Sequence, residues 1–320
     1  MRVLITGTGG FVAPYLIEAL RRACSDDVVV IATSRKGGTH PTFGKLEALD
    51  VTNEAAARDM IARHQPDQVI HLAAIAAPSA ALADSQNAWR VHVQGALNIA
   101  HAILDEAPDC RLLHVGSGLV YGQSARSGAP LDETTLLAPV DDYAVTKAAA
   151  DLALGALALR SLKVLRMRPF NHTGPGQSEA FVVPAFAMQI ARIEVGLLPP
   201  IIRVGNLDAE RDFLDVRDVA RAYALAVRNA NDMEGGTILN VASGIAHRIG
   251  DILDQLLRLA RVKITVQTDP ARLRPSDLPC IIGDARRARM RLGWTPEYRF
   301  AETLAEMLDD CRARAVRQAQ

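Results

Sequence analysis

The fold of this chain is decided by residues 3 to 13, Val-Leu-Ile-Thr-Gly-Thr-Gly-Gly-Phe-Val-Ala. A short apolar run leads into a glycine-rich turn, and the apolar spacing of a helix follows the turn. Gly7 allows a tight turn, Gly10 lets the backbone approach a diphosphate at the helix N-terminus, and Ala13 is small enough for close helix–strand packing. We therefore predict that a dinucleotide binds here, although a plain strand–helix turn also uses glycine.

Short apolar runs alternate with helical stretches through the first half of the chain. The runs are rich in Val, Ile and Leu and lack the polar alternation of a half-solvated strand, so they indicate buried strands. The predicted strands are Val3–Thr6, Val28–Thr33, Val69–Ala74, Leu112–Val115 and Val164–Met167. Strict alternation of strand and helix predicts an α/β fold, a Rossmann doubly wound parallel sheet with helices on both faces.

Two apolar stripes at helical spacing predict which helix faces are buried against this sheet. One stripe follows the glycine turn and the other lies near residue 95. Their members are Val12, Leu16, Ile17 and Leu20 in the first, and Trp89, Val93, Leu97 and Ala100 in the second. A later strand, Ile238–Val241, is expected to rejoin the same sheet.

The pattern changes midway along the chain, where glycine and proline cluster and the alternation becomes irregular. We predict a dinucleotide-binding Rossmann domain over residues 1–168, rejoined by 212–243. Residues 169–211 and 244–320 are predicted to form a smaller α+β C-terminal substrate lobe. The cleft between the two is the expected ligand site.

The composition is that of an ordinary globular protein, and it limits the kinds of partner. The 320 residues are 49% hydrophobic and 22% charged, which argues against disorder. Lys plus Arg and Asp plus Glu both number 36, so the formal charge is zero and no overall field attracts nucleic acid or a membrane. Four separated cysteines argue against a metal site and fit a reducing compartment. With neither a signal peptide nor a membrane-length apolar segment recognised, we expect a cytoplasmic protein.

The end of the second predicted strand bears on the choice of dinucleotide. An NAD site places Asp or Glu there to accept from the ribose hydroxyls, and this chain has Ser34 and Arg35 instead. A guanidinium beside a hydroxyl suits the 2′-phosphate of NADP. The sequence therefore favours NADP(H) over NAD(H), with a solvated Arg–Lys loop as the alternative.

Tyr143 and Lys147 follow a strand that ends near Ser117. Residues four apart share a helix face, so the ammonium can lie near the phenol ring. A neighbouring cation is expected to favour tyrosinate and lower the phenol pKa, as proton transfer near neutral pH requires. The same pair on an exposed helix would carry no chemistry.

Together these motifs resemble those of the extended short-chain dehydrogenases/reductases, and the resemblance runs from Gly7 to Trp294. It implies a nicotinamide cofactor and a catalytic trio, in which Ser117 and Tyr143 hold the reacting oxygen and Lys147 grips the nicotinamide ribose. The implied cofactor-binding residues are Gly7, Gly10, Phe11, Val12, Ser34, Arg35, Asp50, Val51, Leu72, Ala73, Ala74, Tyr143, Lys147 and Pro169. No metal site is expected.

One position departs from the pattern of this family. The family usually has an asparagine where this chain has His92. That asparagine is largely structural, so the departure bears on local hydrogen bonding rather than on activity. We expect a packed histidine with satisfied hydrogen bonds rather than a catalytic one.

Two motifs of the second half resemble those of GDP-6-deoxy-4-keto-mannose reductases, Arg168-Pro-Phe-Asn-His-Thr-Gly-Pro-Gly-Gln177 and Glu210-Arg-Asp-Phe-Leu-Asp-Val216. A third motif, at residues 269–277, resembles both those reductases and GDP-mannose 4,6-dehydratases. The resemblance implies a GDP-linked sugar substrate, whose diphosphate arginine side chains can pair bidentately. The implied substrate-binding residues are Ser117, Asn171, Val182, Arg192, Arg211, Arg274 and Asp277.

The residues between Ser117 and Tyr121 separate a reductase from a dehydratase. By the same resemblance, dehydratases carry a glutamate there that removes a proton from C5 of the sugar. This chain has Gly118, Leu119 and Val120, and leucine cannot carry a proton. We predict NADPH-dependent reduction of the C4 ketone of a GDP-6-deoxy-4-keto-hexose, to a product such as GDP-D-rhamnose. The alternatives are a nucleotide-sugar 4-epimerase with tightly bound NAD and, disfavoured by the intact trio, a dinucleotide-sensing binding protein.

Relatives in this family form a homodimer through a seam of two long helices from each chain. The matching stretches here are Ala88–Leu104 and Tyr143–Leu159. The second stretch carries an apolar stripe of Ala148, Leu152, Gly155, Ala156 and Leu159. A purely intramolecular core would use the same stripe, and we predict a homodimer.

Overall fold

Three sheets and the helices between them form the protein in a computed structural model that describes residues 1–24, 28–273 and 278–320. The strands are β1 Arg2–Thr6, β2 Val29–Ser34, β3 Gly38–His40, β4 Gly44–Ala48, β5 Gln68–His71, β6 Arg111–Val115, β7 Val164–Pro169, β8 Asn171–Thr173, β9 Ile201–Val204, β10 Glu210–Asp215, β11 Ile238–Val241, β12 Ala246–Arg248, β13 Thr265–Thr268 and β14 Cys280–Ile281. The helices are α1 Ala13–Cys24, α2 Glu54–His64, α3 Pro78–Ala83, α4 Ser85–Trp89, α5 Gly95–Glu106, α6 Asp142–Ala158, α7 Val182–Glu194, α8 Val216–Arg228, α9 Ile249–Leu259, α10 Arg286–Leu292 and α11 Phe300–Ala319. A π-helical turn, Arg90–Gln94, joins α4 to α5, and a 3₁₀ segment covers Gly118–Ser127.

The largest sheet has eight strands in the order β11-β7-β6-β5-β1-β2-β4-β3. Neighbouring strands are parallel except for β3, which pairs with β4 as an antiparallel hairpin. From β1 the chain adds strands on one side, then crosses back and adds the rest on the other side. This confirms the predicted doubly wound Rossmann sheet, in which the crevice between β1 and β5 is the expected dinucleotide site.

The predicted strands of this sheet are present with small changes at their ends. The five strands of the first half correspond to β1, β2, β5, β6 and β7, and Ile238–Val241 pairs with β7 as predicted. Strand β5 ends at His71, three residues before the predicted end at Ala74. Its neighbour β1 turns away at Gly7, where a φ of +74° takes the backbone out of the sheet, so β5 loses its partner there.

Helices cover both faces of this sheet. Helices α1 and α8 pack against each other on one face, and α2, α5 and α6 pack on the other. The first predicted apolar stripe is buried in α1 at Leu16, Ile17 and Leu20.

The second predicted stripe is right only in part. Ala100 is buried as predicted, but Val93 and Leu97 are half-buried and Trp89 is 44% exposed, while α5 also buries Ile99 and Ile103. The π-helical turn Arg90–Gln94 holds an extra residue per turn, so it rotates the preceding residues relative to α5. A stripe predicted with a constant angle per residue across this turn therefore includes Trp89, which lies before the turn and faces outward.

The smaller sheet is organised around β10. This strand pairs antiparallel with β12 and parallel with β14 and β8, while β9 and β13 form a separate parallel pair. Helices α7, α9 and α11 close a hydrophobic cluster of their own beside these strands, the α+β arrangement expected. The residue limits of the two predicted domains stay a prediction, since the chain passes directly from β10 into α8.

Within the three described segments, no helix is both long and apolar enough to cross a membrane. The same residues contain no group of three His, Cys, Asp or Glu side chains placed to hold a metal ion. The four cysteines are free thiols.

Candidate active site

The glycine-rich turn and the loop after β5 touch where the strand order reverses. A Cβ on Gly7 would lie 2.7 Å from the backbone N and Cα of Ala73, and Leu72 is also in contact. Gly10 N donates to Gly7 O (3.0 Å), which closes the turn directly before α1. A side chain at position 7 would therefore fill the crevice, and the residues present fit a dinucleotide with its diphosphate at the N-terminus of α1.

The start of α1 is covered by the segment that follows β8. The Phe11 ring stacks on the His172 imidazole, with 6.4 Å between centroids and 8° between planes. The Tyr15 hydroxyl donates to Pro175 O (2.7 Å). No sequence motif indicates these contacts, because no local spacing relates residue 11 to residue 172.

The predicted 2′-phosphate contacts lie at the end of β2. Arg35 is exposed there, and its guanidinium has no hydrogen bond or ion pair with any residue that the structure describes. Ser34 is half-buried, and its hydroxyl donates to Gly37 O (3.1 Å). Arg35 is therefore available to an added anion, whereas Ser34 must give up a bond to serve one.

Asp50 and Val51 lie on the same side of the crevice. The Thr52 hydroxyl and N–H donate to Asp50 Oδ1 (2.7 and 3.0 Å). These bonds, and then the charges of Arg35 and Arg90, hold the pKa of Asp50 below its usual value. Arg90 is thus a second cation near this end of the crevice, and it is not among the predicted cofactor-binding residues.

Tyr143 lies in the first turn of α6, close to Ser117 at the end of β6. Asp141 caps the helix, with its Oδ1 accepting from Ala144 N (2.8 Å). The Ser117 hydroxyl accepts from Leu119 N (3.1 Å). Burial raises the pKa of Tyr143 to about 12, although the nearby Ser117 hydroxyl opposes this. The phenol therefore carries its proton at neutral pH.

Lys147 is buried one helical turn further along α6. Its Nζ donates to Val115 O on β6 (2.9 Å), and burial lowers its pKa to about 8. The expected lowering of the Tyr143 pKa by this ammonium is wrong for the protein alone. Burial has the largest effect on the pKa of the Tyr143 phenol. The ammonium of Lys147 donates instead to a backbone carbonyl of the sheet, Val115 O.

Three buried histidines lie between the sheet and α6: His71 on β5, His114 on β6, and His92 in the π-helical turn. Burial, and then the charge of Lys147, lowers the pKa of His71 and His92 to about 3 and that of His114 well below its usual value. His71 Nδ1 pairs with Thr6 Oγ1 (2.9 Å). The other nitrogen of His71 and both of His114 lack a partner among the described residues. All three rings are therefore neutral beside a charged Lys147.

His92 is packed and hydrogen-bonded, as expected for a histidine at this position. It is 1% exposed, its Nε2 lies 3.0 Å from Ile75 N, and its Nδ1 lies 2.8 Å from Thr146 Oγ1. Both ring nitrogens are thus paired, one with the loop after β5 and one with α6.

A narrow cavity, too tight in this structure to hold a water molecule, lies beside the segment that follows Ser117. Its lining brings two predicted substrate residues, Asn171 and Arg211, to that segment, and it also includes Gly118, Leu119, Phe170, Asp212 and Ile281. A Cβ on Gly118 would lie 2.8 Å from the Phe170 ring. Position 118 therefore has no room for a side chain while Phe170 keeps its place.

Arg211 lies on β10 at the wall of this cavity. Its Nη1 donates to the backbone oxygens of Leu278 (2.7 Å) and Glu210 (2.8 Å), which hold the guanidinium in place. Arg274 and Asp277, the other predicted contacts with the diphosphate and ribose, lie outside the described residues.

Asp212 anchors the strand that carries Arg211. It is buried, and its carboxylate accepts from the backbone N–H groups of Ser243 (2.8 Å), Gly244 (2.9 Å) and Gly283 (3.1 Å) and from the Ser243 hydroxyl (2.6 Å). Burial raises the pKa of Asp212 although these bonds oppose it. One carboxylate thus ties three separate chain segments together beside the cavity.

Two predicted substrate contacts lie on α7 and do not line this cavity. Val182 begins the helix and is 37% exposed. Arg192 forms a bidentate ion pair with Glu179 (2.7 and 2.9 Å), and its Nε donates to Gln318 (3.1 Å). A contact between Arg192 and substrate would need this pair to open, so both assignments stay predictions.

A buried ionic network supports α6 from behind. Asp151 accepts from Arg168 (2.8 and 3.0 Å) and from Arg166 (2.9 Å). Arg168 also donates to the Tyr121 hydroxyl (3.0 Å), which donates to Asn240 Oδ1 (2.7 Å). Helix α6 is therefore tied to β7, β11 and the 3₁₀ segment, and removing one partner would leave a buried charge unpaired.

The two sides of the crevice limit the chemistry that it can perform. One side fits a dinucleotide, and the other presents a protonated phenol beside a buried ammonium, groups suited to moving a proton while a nicotinamide moves a hydride. This combination defines the class of NAD(P)-dependent extended short-chain dehydrogenases/reductases.

Comparison with known proteins identifies the family within this class to which the chain belongs. The chain belongs to the GDP-mannose 4,6 dehydratase family, whose model matches residues 4–307. It is similar to GDP-6-deoxy-D-mannose reductase of Pseudomonas aeruginosa, with 33% identity over 315 residues and 98% of each chain covered. GDP-6-deoxy-D-talose 4-dehydrogenase of Aggregatibacter actinomycetemcomitans is 25% identical over 312 residues, with 95% of each chain covered.

A solved structure, RMD from Pseudomonas aeruginosa complexed with NADPH, superposes with a TM-score of 0.85 at 31% identity. The match covers 98% of this chain and 99% of that chain. The protein is therefore an NAD(P)-dependent enzyme of the nucleotide-sugar group, with a nicotinamide cofactor.

Proposed function

We propose that the protein reduces the C4 ketone of a GDP-6-deoxy-4-keto-hexose with NADPH, giving a GDP-6-deoxyhexose such as GDP-D-rhamnose. The observation that carries the proposal is the wall formed by Gly118 and Leu119 beside the trio. Gly118 and Leu119 carry no carboxylate, and Tyr143 on α6 supplies the proton donor. The similarity to GDP-6-deoxy-D-mannose reductase supports the choice of substrate.

The residues of the trio have separate tasks in this reaction. A bound nicotinamide would supply the hydride to C4 of the sugar. Tyr143 gives its proton to the developing alkoxide, and Ser117 donates a second hydrogen bond to the same oxygen. Lys147, with a pKa of about 8, is charged at neutral pH and favours return of a proton to the site. Its ammonium also suits the nicotinamide ribose.

Dehydration of the parent sugar is not expected at this site. The Phe170 ring excludes a side chain at position 118, and position 119 is leucine. Asp141 and Asp142 lie close to the catalytic tyrosine, but Asp141 is used in capping α6. Asp212 lines the cavity, but its carboxylate is buried and accepts four hydrogen bonds. The described lining therefore offers no carboxylate that is free to act as a base near C5 of the sugar.

NADPH is the proposed cofactor because Arg35 is exposed and uncommitted at the end of β2. Arg90 lies near enough to influence the same carboxylate, Asp50, so two guanidinium groups flank this end of the crevice. The NADPH complex of the similar RMD structure supports the same choice.

The test is to incubate the protein with NADPH and a freshly made GDP-4-keto-6-deoxymannose. A reductase oxidises one NADPH per sugar reduced, whereas a 4-epimerase with tightly bound NAD consumes none. In a second incubation, GDP-mannose with NADP⁺ should stay intact overnight by chromatography. Conversion of GDP-mannose to a keto sugar would contradict the assignment.

A homodimer is proposed from the outer face of the helices near the trio. Leu152 on α6 and Leu159, which follows the end of that helix, are 59% and 90% exposed, and Trp89 is 44% exposed. Side chains of this size gain from burial against a second copy. Light scattering at micromolar concentration should give about twice the 34.5 kDa chain mass, and a monomer would contradict the dimer.

A further inference from the structure

His92 is the residue of the catalytic centre to which the proposed reaction gives no task. It lies in the π-helical turn Arg90–Gln94, a wide turn that closes where Gly95 N donates to Arg90 O. From there the ring reaches between the loop after β5 and the first turn of α6. Because it contacts both sides of the crevice, its hydrogen bonds bear on how the two sides are aligned.

Those hydrogen bonds determine which nitrogen carries the proton. Nε2 lies 3.0 Å from Ile75 N, a backbone donor, so Nε2 is the acceptor. Nδ1 lies 2.8 Å from Thr146 Oγ1, whose only proton is directed to the carbonyls of Asp142 (2.8 Å) and Tyr143 (2.9 Å). Nδ1 is therefore the donor, and the tautomer follows from the partners.

The surroundings keep the ring neutral. The titratable groups that face it are Tyr143 and Lys147 on α6, His71 on β5 and His114 on β6. Burial, and then the charge of Lys147, lowers the pKa of His92 to about 3. A second proton would also set Nε2–H against the Ile75 N–H. The link is thus intact at neutral and mildly acidic pH.

We propose that His92 is a positioning residue that links the cofactor-side loop, through Ile75, to the helical turn that carries Tyr143. Its ring also packs edge to face on the Tyr143 ring, with 5.6 Å between centroids and 88° between planes. His92 thereby sets the distance between the nicotinamide pocket and the phenol, and it exchanges no proton with the substrate. This role rests on the proposed function, in which Tyr143 is the acid.

Two amide substitutions test the two hydrogen bonds of His92 separately. We call the bond to Ile75 N the loop arm of the link and the bond to Thr146 Oγ1 its helix arm. The amide of asparagine reaches about as far as Nδ1, and the amide of glutamine about as far as Nε2. His92→Asn should keep the Thr146 bond and lose the Ile75 bond. His92→Gln should keep the Ile75 bond and lose the Thr146 bond. His92→Phe keeps the ring against Tyr143 and loses both.

The expected results differ by arm. His92→Asn should weaken NADPH binding about tenfold, while kcat at saturating NADPH stays within about threefold. His92→Gln should lower kcat about tenfold and leave the NADPH dissociation constant within about twofold. His92→Phe should show both losses. The dissociation constants are measured by fluorescence titration and kcat by consumption of NADPH.

Thr146 supplies the matched control on the helix side. Thr146→Val removes the acceptor of Nδ1 and should reproduce the lower kcat of His92→Gln, whereas Thr146→Ser should restore it. The double variant His92→Gln with Thr146→Val should be no slower than the slower single variant, because both changes remove the same bond. If the fold-losses in kcat of the two single variants multiply in the double variant, the two residues act separately. That result would overturn the proposed link.

Nitrogen-15 NMR gives a readout independent of activity. The His92 ring should show a protonated Nδ1 and an unprotonated Nε2 from pH 5 to pH 8, and a ring that titrates in this range would overturn the proposal. If the unsubstituted protein does not reduce the keto sugar, the proposed function fails, while the tautomer and the NADPH constants still decide whether the link exists. If His92→Phe does not fold, the Asn and Gln variants carry the test.

Discussion

The cofactor side and the substrate side of the crevice are built in different ways. On the cofactor side, most residues are placed by local backbone features, such as the turn at Gly7 and the strand end at Arg35. The contact of Phe11 with His172 is a long-range exception. On the substrate side, Arg211 is held by the carbonyl of Leu278, 67 residues away, and Asp212 gathers N–H groups from 31 to 71 residues away. The first kind of site is encoded in consecutive residues, and the second requires the finished fold.

This difference predicts how each side should respond to substitution. Changes on the cofactor side should alter one ligand contact and leave the fold intact. Changes on the substrate side should lower stability and binding together, because the same side chains hold the chain and line the cavity. The trio lies between them, where a substitution should affect chemistry alone.

The largest effect is expected at this boundary. Tyr143→Phe deletes the proton donor and should lower kcat at least about 10²-fold, with little change in thermal stability or in NADPH binding. Tyr298→Phe is the matched control, since the Tyr298 ring contacts Arg217 and lies away from the cavity. Unchanged turnover in Tyr143→Phe would mean that the proton comes from another group.

Low pH should destabilise the cofactor side of the fold before the substrate side. His71 and His92 stay neutral in the fold, with pKa values of about 3, and take up protons on unfolding below pH 6.5. The unfolded state then binds more protons, so stability falls as the pH drops from about 6.5 towards 3. At about 1.4 kcal/mol per pH unit for each histidine, the two together cost about 4 kcal/mol by about pH 5.

Hydrogen exchange at pH 5 and pH 7 measures this loss region by region. Faster exchange at pH 5 should appear around β5, β6 and α6 before β10. His114→Leu removes a third buried ring with no hydrogen-bond partner among the described residues, and should reduce the acid sensitivity. Equal acid sensitivity in the two regions would contradict the comparison.

Asp212→Ala tests whether the substrate side depends on long-range anchoring. The substitution leaves three N–H donors without their acceptor and should lower the free energy of unfolding by about 2–3 kcal/mol, with a raised KM for the sugar nucleotide. Urea unfolding and steady-state kinetics measure the two effects. Asp208→Ala, which removes an exposed ion pair with Arg248, should change stability by less than about 1 kcal/mol.

The smallest effect is expected at Arg35. NADPH should bind at least about tenfold more tightly than NADH, and Arg35→Ala should remove most of this preference without changing the melting temperature. Lys36→Ala, at the exposed neighbouring position, should keep the preference. Equal dissociation constants for the two cofactors in the unsubstituted protein would show that Arg35 does not select the 2′-phosphate.

What could be predicted from the sequence follows the same division. The strands of the large sheet and the glycine turn depend on neighbouring residues, and the sequence predicts their positions to within a few residues. The apolar stripe at Trp89 failed because a π-helical turn changed the helical angle. The pairing of Arg192 with Glu179 and the dominance of burial over the Lys147 charge at Tyr143 depend on packing that no spacing shows.

A side chain cannot be added at position 118 without a change at position 170, although the two positions lie 52 residues apart in the chain. The Phe170 ring occupies the volume that any side chain at 118 would need. A chain that gained a carboxylate at 118 would have to exchange the aromatic ring for a smaller residue in the same step. For an engineer or a diverging lineage, a side chain at position 118 is therefore reached only through a coupled pair of substitutions, and the single variants between them are the barrier.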